Sequence, residues 1–387
     1  MPSTVFPRLP IKEKILLPLV QCGMGVGISA HRPARTVAAF RAVGTISSVD
    51  LRRHHVNLMR QTHKSRDKEL ITAACQIALE REIILAKTLA EGRDITAADI
   101  MRPVAEDAPA VQQVCANGAA AVVVSAGLPL DLPDVTANYP SEALIPFLSD
   151  LRDITVLLKK WLRKNGLPDE IVIENPQYAT GHLRTPDQQS VSDRRFNFSA
   201  VLEGTRDLFK KPDLVGEQIP LIVAGGIHDF EQAQGLFACG AIAIQRGTPF
   251  AVTAEGDAHP SFKKILAEAR ACTLGFDCLH QRGGRDGIAT PGEFCIDTQF
   301  AFALAGDVKR GICFRGSERP LFGDAIRAVK ELPASFSNGG RPRLTDSPIG
   351  RGRPRGAYSV RASTPLRREK VVACGGFLEV SDSSNRY

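Results

Sequence analysis

Residues 220–250 read PLIVAGGIHDFEQAQGLFACGAIAIQRGTPF. The order is strand, glycine turn, helix, strand, glycine turn, helix start. Leu221, Ile222 and Val223 form the short apolar run of a strand covered on both faces. Gly225 and Gly226 follow at once, where the chain turns and lets a ligand approach its backbone. Phe230 to Cys239 suit a helix, ended by Gly240. Ala241 to Ile244 are expected as the next strand, and Gln245-Arg246-Gly247-Thr248 as the turn into another helix whose first amides point outward. Two βα units thus end in glycine loops on one rim. In a (β/α)8 barrel, the loops after strands seven and eight form the customary phosphate site.

Outward from this stretch, the same alternation recurs. Ile15 to Val20 is an apolar run interrupted by Pro18, followed by the glycine-rich QCGMGVGIS. The third glycine of a dinucleotide fingerprint is missing, because position 28 is Ile. Arg32 to Ala42 suit a helix and Gly44 to Val49 a strand. Residues 67–91 form the longest helical pattern, with Leu70, Ala74, Ile77, Ile84 and Leu85 at helical spacing. Ile95–Met101, Ala120–Ser125, Leu144–Phe147 and Ile171–Glu174 supply further strands, and Ile154, Leu157, Leu158, Trp161 and Leu162 one helix face. Residues 131–140 read as a loop and residues 183–198 as a loop or lid. Eight short strands separated mainly by helices imply a closed (β/α)8 barrel, with an open doubly wound sheet as the runner-up. The expected division is a barrel over residues 1–270, a helical extension packing on it over 271–333, and a disordered basic tail over 334–387.

The net charge of +7 belongs almost entirely to that tail, which holds ten Lys or Arg against four Asp or Glu. A nucleic-acid-binding body is therefore not supported. No run approaches the ~20 apolar residues of a membrane span. The start, MPSTVFPRLPIKEK, has no apolar signal core, so a cytoplasmic location is the expectation. The nine cysteines include no C-x-x-C pair, and their spacings match no zinc finger. Neither a disulfide framework nor a metal site is expected.

Barrel active sites gather at the C-terminal ends of the strands. The residues placed there include Gly23, Met24, Asp99, Glu174, His182, Gly225, Gly226, Gln245, Gly247 and Thr248. Most of them bind rather than react. His182 is the one whose ordinary pKa lies near neutrality, so it is the candidate proton-transfer group.

The blocks PLVQCGMGVGISAH, GTISSVDLRRHH, SAGLPLDLP, ENPQYATGHLR, VAGGIHDFEQA and IQRGTPFAVTAEGDAH occur in this order. Together they resemble the FMN-dependent nitronate monooxygenases, also called 2-nitropropane dioxygenases, over about residues 15–270. The resemblance implies a TIM barrel holding one FMN. Gly23 and Met24 would lie against the flavin ring, and Asp99 and Glu174 would contact it. Gly225, Gly226, Gln245, Arg246, Gly247 and Thr248 would hold the phosphate. His182, after Thr180 and Gly181, would match the histidine that takes the α-proton of a nitroalkane or sits beside a nitronate. Oxygen would be the second substrate, with a carbonyl compound and nitrite as products.

The chain departs from that family in places. Thr180-Gly181 replaces the Gly-Gly before the histidine, and the loop from Glu174 to His182 is one residue longer. Asp99 stands where the family usually has Asn; an ionised Asp there would repel an anionic nitronate or reduced flavin. Two other readings stay open: an FMN barrel reductase drawing electrons from NAD(P)H, of enoyl-ACP or quinone reductase type, and a non-catalytic flavin-binding barrel.

Overall fold

The computed structural model describes residues 6–25, 27–89, 95–101, 107–178, 192–227, 230–261, 263–264, 313–314, 328–329, 331, 371–374 and 377–380. Eight parallel strands form one sheet: β3 Leu19–Gln21, β4 Gly44–Ser47, β5 Thr96–Met101, β6 Ala121–Ser125, β7 Ala143–Leu148, β8 Ile171–Glu174, β9 Leu221–Ala224 and β10 Ala243–Arg246. Each pairs with the next, and β10 returns to β3 with Arg246 opposite Gln21. The seam between β3 and β4 is closed by the Val20–Val43 bridge, where Gln21 N donates to Val43 O at 2.9 Å. The sheet is a (β/α)8 barrel, as the alternation predicts.

A hairpin precedes the barrel: β1 Leu9–Ile11 and β2 Lys14–Leu16, antiparallel. The Ile15–Val20 run is thus split in two, because Pro18 has no N–H to give a ladder. Leu9, Ile11 and Leu16 pack with the inward-facing Val20, Ala97, Val123, Ile145, Val172 and Ile222, so the hairpin plugs the N-terminal end of the barrel. Lys12 at its turn anchors it through a 2.8 Å ion pair to Asp169.

The helices are α1 His31–Ala39, α2 Val56–Thr62, α3 Lys68–Leu89, α4 Asp107–Ala116, α5 Leu132–Val135, α6 Leu151–Leu162, α7 Phe198–Leu208, α8 Phe230–Ala238 and α9 Thr248–Ala251. Their apolar faces meet the outward-facing strand residues Ile46, Ile100, Val124, Ile173, Val223 and Ile244 in a second core. α6 shows the local logic. Asp150 caps it by accepting from Asp153 N at 2.9 Å, and Ile154, Leu157, Leu158 and Trp161 are buried. Trp161, the one tryptophan of the chain, satisfies its indole N–H on Pro129 O at 2.9 Å. Gly44 has no room for a side chain, since a Cβ would come within 1.9 Å of Ala34 O where β4 presses on α1.

Three expectations are corrected. The last barrel strand runs from Ala243 to Arg246, two residues later than the apolar pattern suggests. Residues 131–140 contain the one-turn helix α5. Residues 198–208, to which the sequence pattern assigns nothing beyond the loop's last residue, form α7, whose Val201, Leu202, Thr205 and Leu208 are buried. In α3 the buried face is Ala74, Ala78, Leu79, Ile83 and Ala86, while Leu70, Ile77, Ile84 and Leu85 lie on the exposed side. The apolar spacing identifies the helix but not which way it faces.

Farther along, β11 Cys313–Phe314, β12 Val371–Cys374 and β13 Phe377–Val380 form an antiparallel sheet of their own. No helix among the described residues is long and apolar enough to cross a membrane.

Candidate active site at the barrel mouth

Five strands, β8, β9, β10, β3 and β5, deliver the described candidate residues to one arc of the mouth, with β4 between the last two. Glu174 ends β8. Gly225 and Gly226 leave β9 with φ of +92° and +72°, conformations that suit glycine alone at low cost. Gln245 and Arg246 end β10, followed by Gly247 and Thr248. Gly23 and Met24 follow β3, and Asp99 lies near the end of β5.

The glycine-rich loop after β3 is braced from within. Gln21 Nε2 donates to Ser29 Oγ at 3.0 Å and to Thr45 O at 2.9 Å, while Met24 N donates to the same Ser29 Oγ at 3.1 Å. Asp257 holds the far end of the loop, accepting from Ala30 N at 3.1 Å. The loop reaches its neighbours as well: a Cβ on Gly247 would lie 3.6 Å from Met24 Sδ.

Gly23 sits directly against Asp99. A Cβ there would fall 2.4 Å from Asp99 Cβ and 2.6 Å from Oδ2, so only glycine fits. Asp99 is opposite Ser47 in register and shares the inward face of the sheet with it. It is 4% exposed, and its Oδ1 has no hydrogen-bond partner among the described residues. Burial pushes its carboxyl from 3.8 up to about 7; the Ser125 hydroxyl, which makes no well-formed hydrogen bond, opposes this only in part. Near neutrality the acid is therefore substantially protonated.

On the other side of the arc, Tyr178 lies flush with the β9 turn. Its ring would be 2.6 Å from a Cβ on Gly226. Asn175 supports this corner by donating to Phe196 O at 3.2 Å and accepting from Gln177 N at 2.9 Å. The turn into α9 differs from expectation. Gln245 and Arg246 are buried strand residues, and α9 is a single turn, so it carries little of a helix dipole. An anion at this corner would rest on loop amides and bare glycine backbone instead.

Thr180, Gly181 and His182 lie outside the described residues. Sequence reading missed Ser29, Ser47, Ser125 and Tyr178. The polar Gln21 inside an apolar strand is the one local signal that something braces the first loop.

A flat, phosphate-bearing group such as FMN fits these residues. The backbone is bare at Gly23 and at the positive-φ pair Gly225–Gly226, with Asp99 and Tyr178 packed where side chains of Gly23 and Gly226 would stand, and Asp99 Oδ1 is buried without a partner among the described residues.

Two solved structures are similar in fold. FabK from Thermotoga maritima has a TM-score of 0.57 at 17% identity, over 84% of this chain and 92% of that one. Nitroalkane oxidase from Streptomyces ansochromogenes has a TM-score of 0.57 at 15% identity, over 84% of this chain and 96% of that one. At such identities the likeness shows the fold alone. No curated protein matches the chain. The family model for nitronate monooxygenase matches residues 8–285. With its barrel, its glycine-lined mouth and a match over well beyond half its length, the chain belongs to the nitronate monooxygenase family.

Proposed function

We propose that the protein is an FMN-dependent oxidoreductase that oxidises nitronates or nitroalkanes with O2 to carbonyl compounds and nitrite. Family membership supports the flavin oxidoreductase class. The observation that carries the reading is the bare-backbone arc of the mouth, with Gly23 against a buried acid and the Gly225–Gly226 pair at positive φ nearby. FMN, when bound, supplies the electron acceptor and the centre that reacts with oxygen.

The chain's own residues divide the remaining work. Gly225, Gly226 and Gln245 to Thr248 would hold the phosphate. Gly23, Met24, Asp99 and Glu174 would hold the ring. The hairpin and the apolar barrel interior keep water out from below. His182 takes the α-proton from a neutral nitroalkane, a task that an already ionised nitronate does not need.

Two measurements test this. Denatured protein should release FMN, and anaerobic addition of a nitronate should bleach the bound flavin while NADH does not. Bleaching by NADH alone would move the protein to the reductase class, and a colourless protein that takes up no added FMN would refute the flavin reading. Replacing His182 with Asn should cut turnover of a neutral nitroalkane by about 10²–10⁴-fold and that of its nitronate much less. Equal losses on both would make His182 an anion-binding or structural residue.

A further inference from the structure

Asp99 has an unusual set of neighbours for a carboxylate. Among the described residues, the backbone of Gly23 presses on it, Ser47 on β4 and Val123 on β6 are its register partners, and the Ser125 hydroxyl on β6 acts on its charge. No Lys, Arg or His among the described residues contributes to its electrostatics, and neither does Glu174, three strands away on β8. A buried carboxylate without a cation is costly, whereas a buried carboxylic acid is not, and the acid has a proton to donate. Oδ1 is the oxygen left without a partner among the described residues.

We propose that Asp99 works as a neutral acid, donating a hydrogen bond from Oδ1 to a carbonyl-type acceptor on the flavin ring, so that flavin binding is linked to one proton. The proposal rests on the FMN reading above. An amide at this position would donate at every pH, but an acid donates only while protonated. Below the titration of Asp99 the donor is present. Above it, an uncompensated negative charge faces the ring's oxygen. Since burial sets that titration at about 7, flavin affinity should fall as the solution becomes alkaline. Linkage requires the reciprocal effect: bound flavin holds the proton on Asp99.

The test is the dissociation constant of FMN for flavin-stripped protein, wild type and Asp99→Asn, between pH 7 and 9. Taking the ratio of the two proteins cancels titration of the FMN phosphate and of every group they share. The wild type should weaken relative to Asp99→Asn by about 10- to 50-fold over this range. Calorimetry of the wild type in buffers of different ionisation enthalpy should show uptake of up to about one proton per FMN at the alkaline end, a readout that needs no variant. A constant ratio with no proton uptake overturns the role of Asp99 and leaves the FMN reading standing. Failure of both proteins to bind FMN at any pH overturns the FMN reading and this inference together.

Discussion

Glu170, at the closed end of the barrel, shows what one buried acid does to the whole protein. It immediately precedes β8, is 1% exposed, and its Oε2 has no partner among the described residues. Burial, reinforced by neighbouring Asp169 and only partly offset by Lys12, pushes its carboxyl from 4.5 to about 9. The folded state therefore keeps a proton that the unfolded chain releases above 4.5. Stability falls as pH rises from there toward 9, by at most about 1.4 kcal/mol per pH unit. Glu170→Gln should flatten this slope, which urea midpoints at pH 5 and 8 would reveal; an unchanged slope would mean the carboxyl is already ionised. The glycines make a second residue-scale contrast. Gly226→Ala forces a side chain into positive φ and against Tyr178, so it should cost roughly 1–3 kcal/mol and lower flavin content. Gly235 lies inside α8 with open space around it, so Gly235→Ala should instead stabilise by up to about 1 kcal/mol. Thermal melts of both variants check the pair.

Between elements, Glu82 is the tie to test. It projects from α3 with a side chain 1% exposed and accepts from His31 N at 2.8 Å and from His31 Nδ1 at 2.6 Å, at the start of α1. His55, just before α2, brings Nε2 to 3.0 Å of the other carboxylate oxygen. Burial alone would raise the Glu82 carboxyl, but the His31 hydrogen bonds outweigh it and hold the carboxyl below its ordinary value. His55 is itself held low, chiefly by burial and against the pull of Glu82. Glu82→Ala should cost roughly 3 kcal/mol, since it leaves polar groups of two other helices without a buried acceptor. A depressed carboxyl contributes above its unfolded pKa and loses that contribution on acidification. The gap between wild type and Glu82→Ala should therefore be full above pH 4.5 and narrow below it. Denaturation at pH 6 and 3.5 measures both gaps. None of this is visible in residues 67–91 read alone. Their spacing gives a helix, but the partners of Glu82 arrive from 51 and 27 positions away.

For the whole molecule, the barrel should be separable from the basic tail. Among the described residues, the β11–β13 sheet pairs only within itself, and no barrel strand depends on it for a ladder. Deleting residues 335–387 should leave flavin content and melting temperature nearly unchanged. A large drop in either would show that the tail packs on the barrel. FMN binding should itself stabilise the folded state, by about 2.7 kcal/mol when free FMN is at one hundred times its dissociation constant.

The order of residues alone determined the barrel. Short apolar strands, helices of 3.6-residue period and glycine stops are local signals, and eight of these units in succession leave few other ways to bury both faces of a parallel sheet. The glycines at 23, 225, 226 and 247 are legible for the same reason, since tight turns and bare backbone are written in consecutive positions. Tertiary structure decided what depends on distant neighbours. Gln245 and Arg246 look like turn residues beside Gly247, yet they are strand because β3, more than 220 positions earlier, supplies their ladder. The outward side of α3 is as apolar as its inward side, so only packing against α1 and the sheet selects Ala78 and Ile83 for the core. Sequence leaves the protonation of Asp99 open. Its protonation is set by the dry interval between Gly23, Ser47 and Ser125, residues that only barrel closure brings around it.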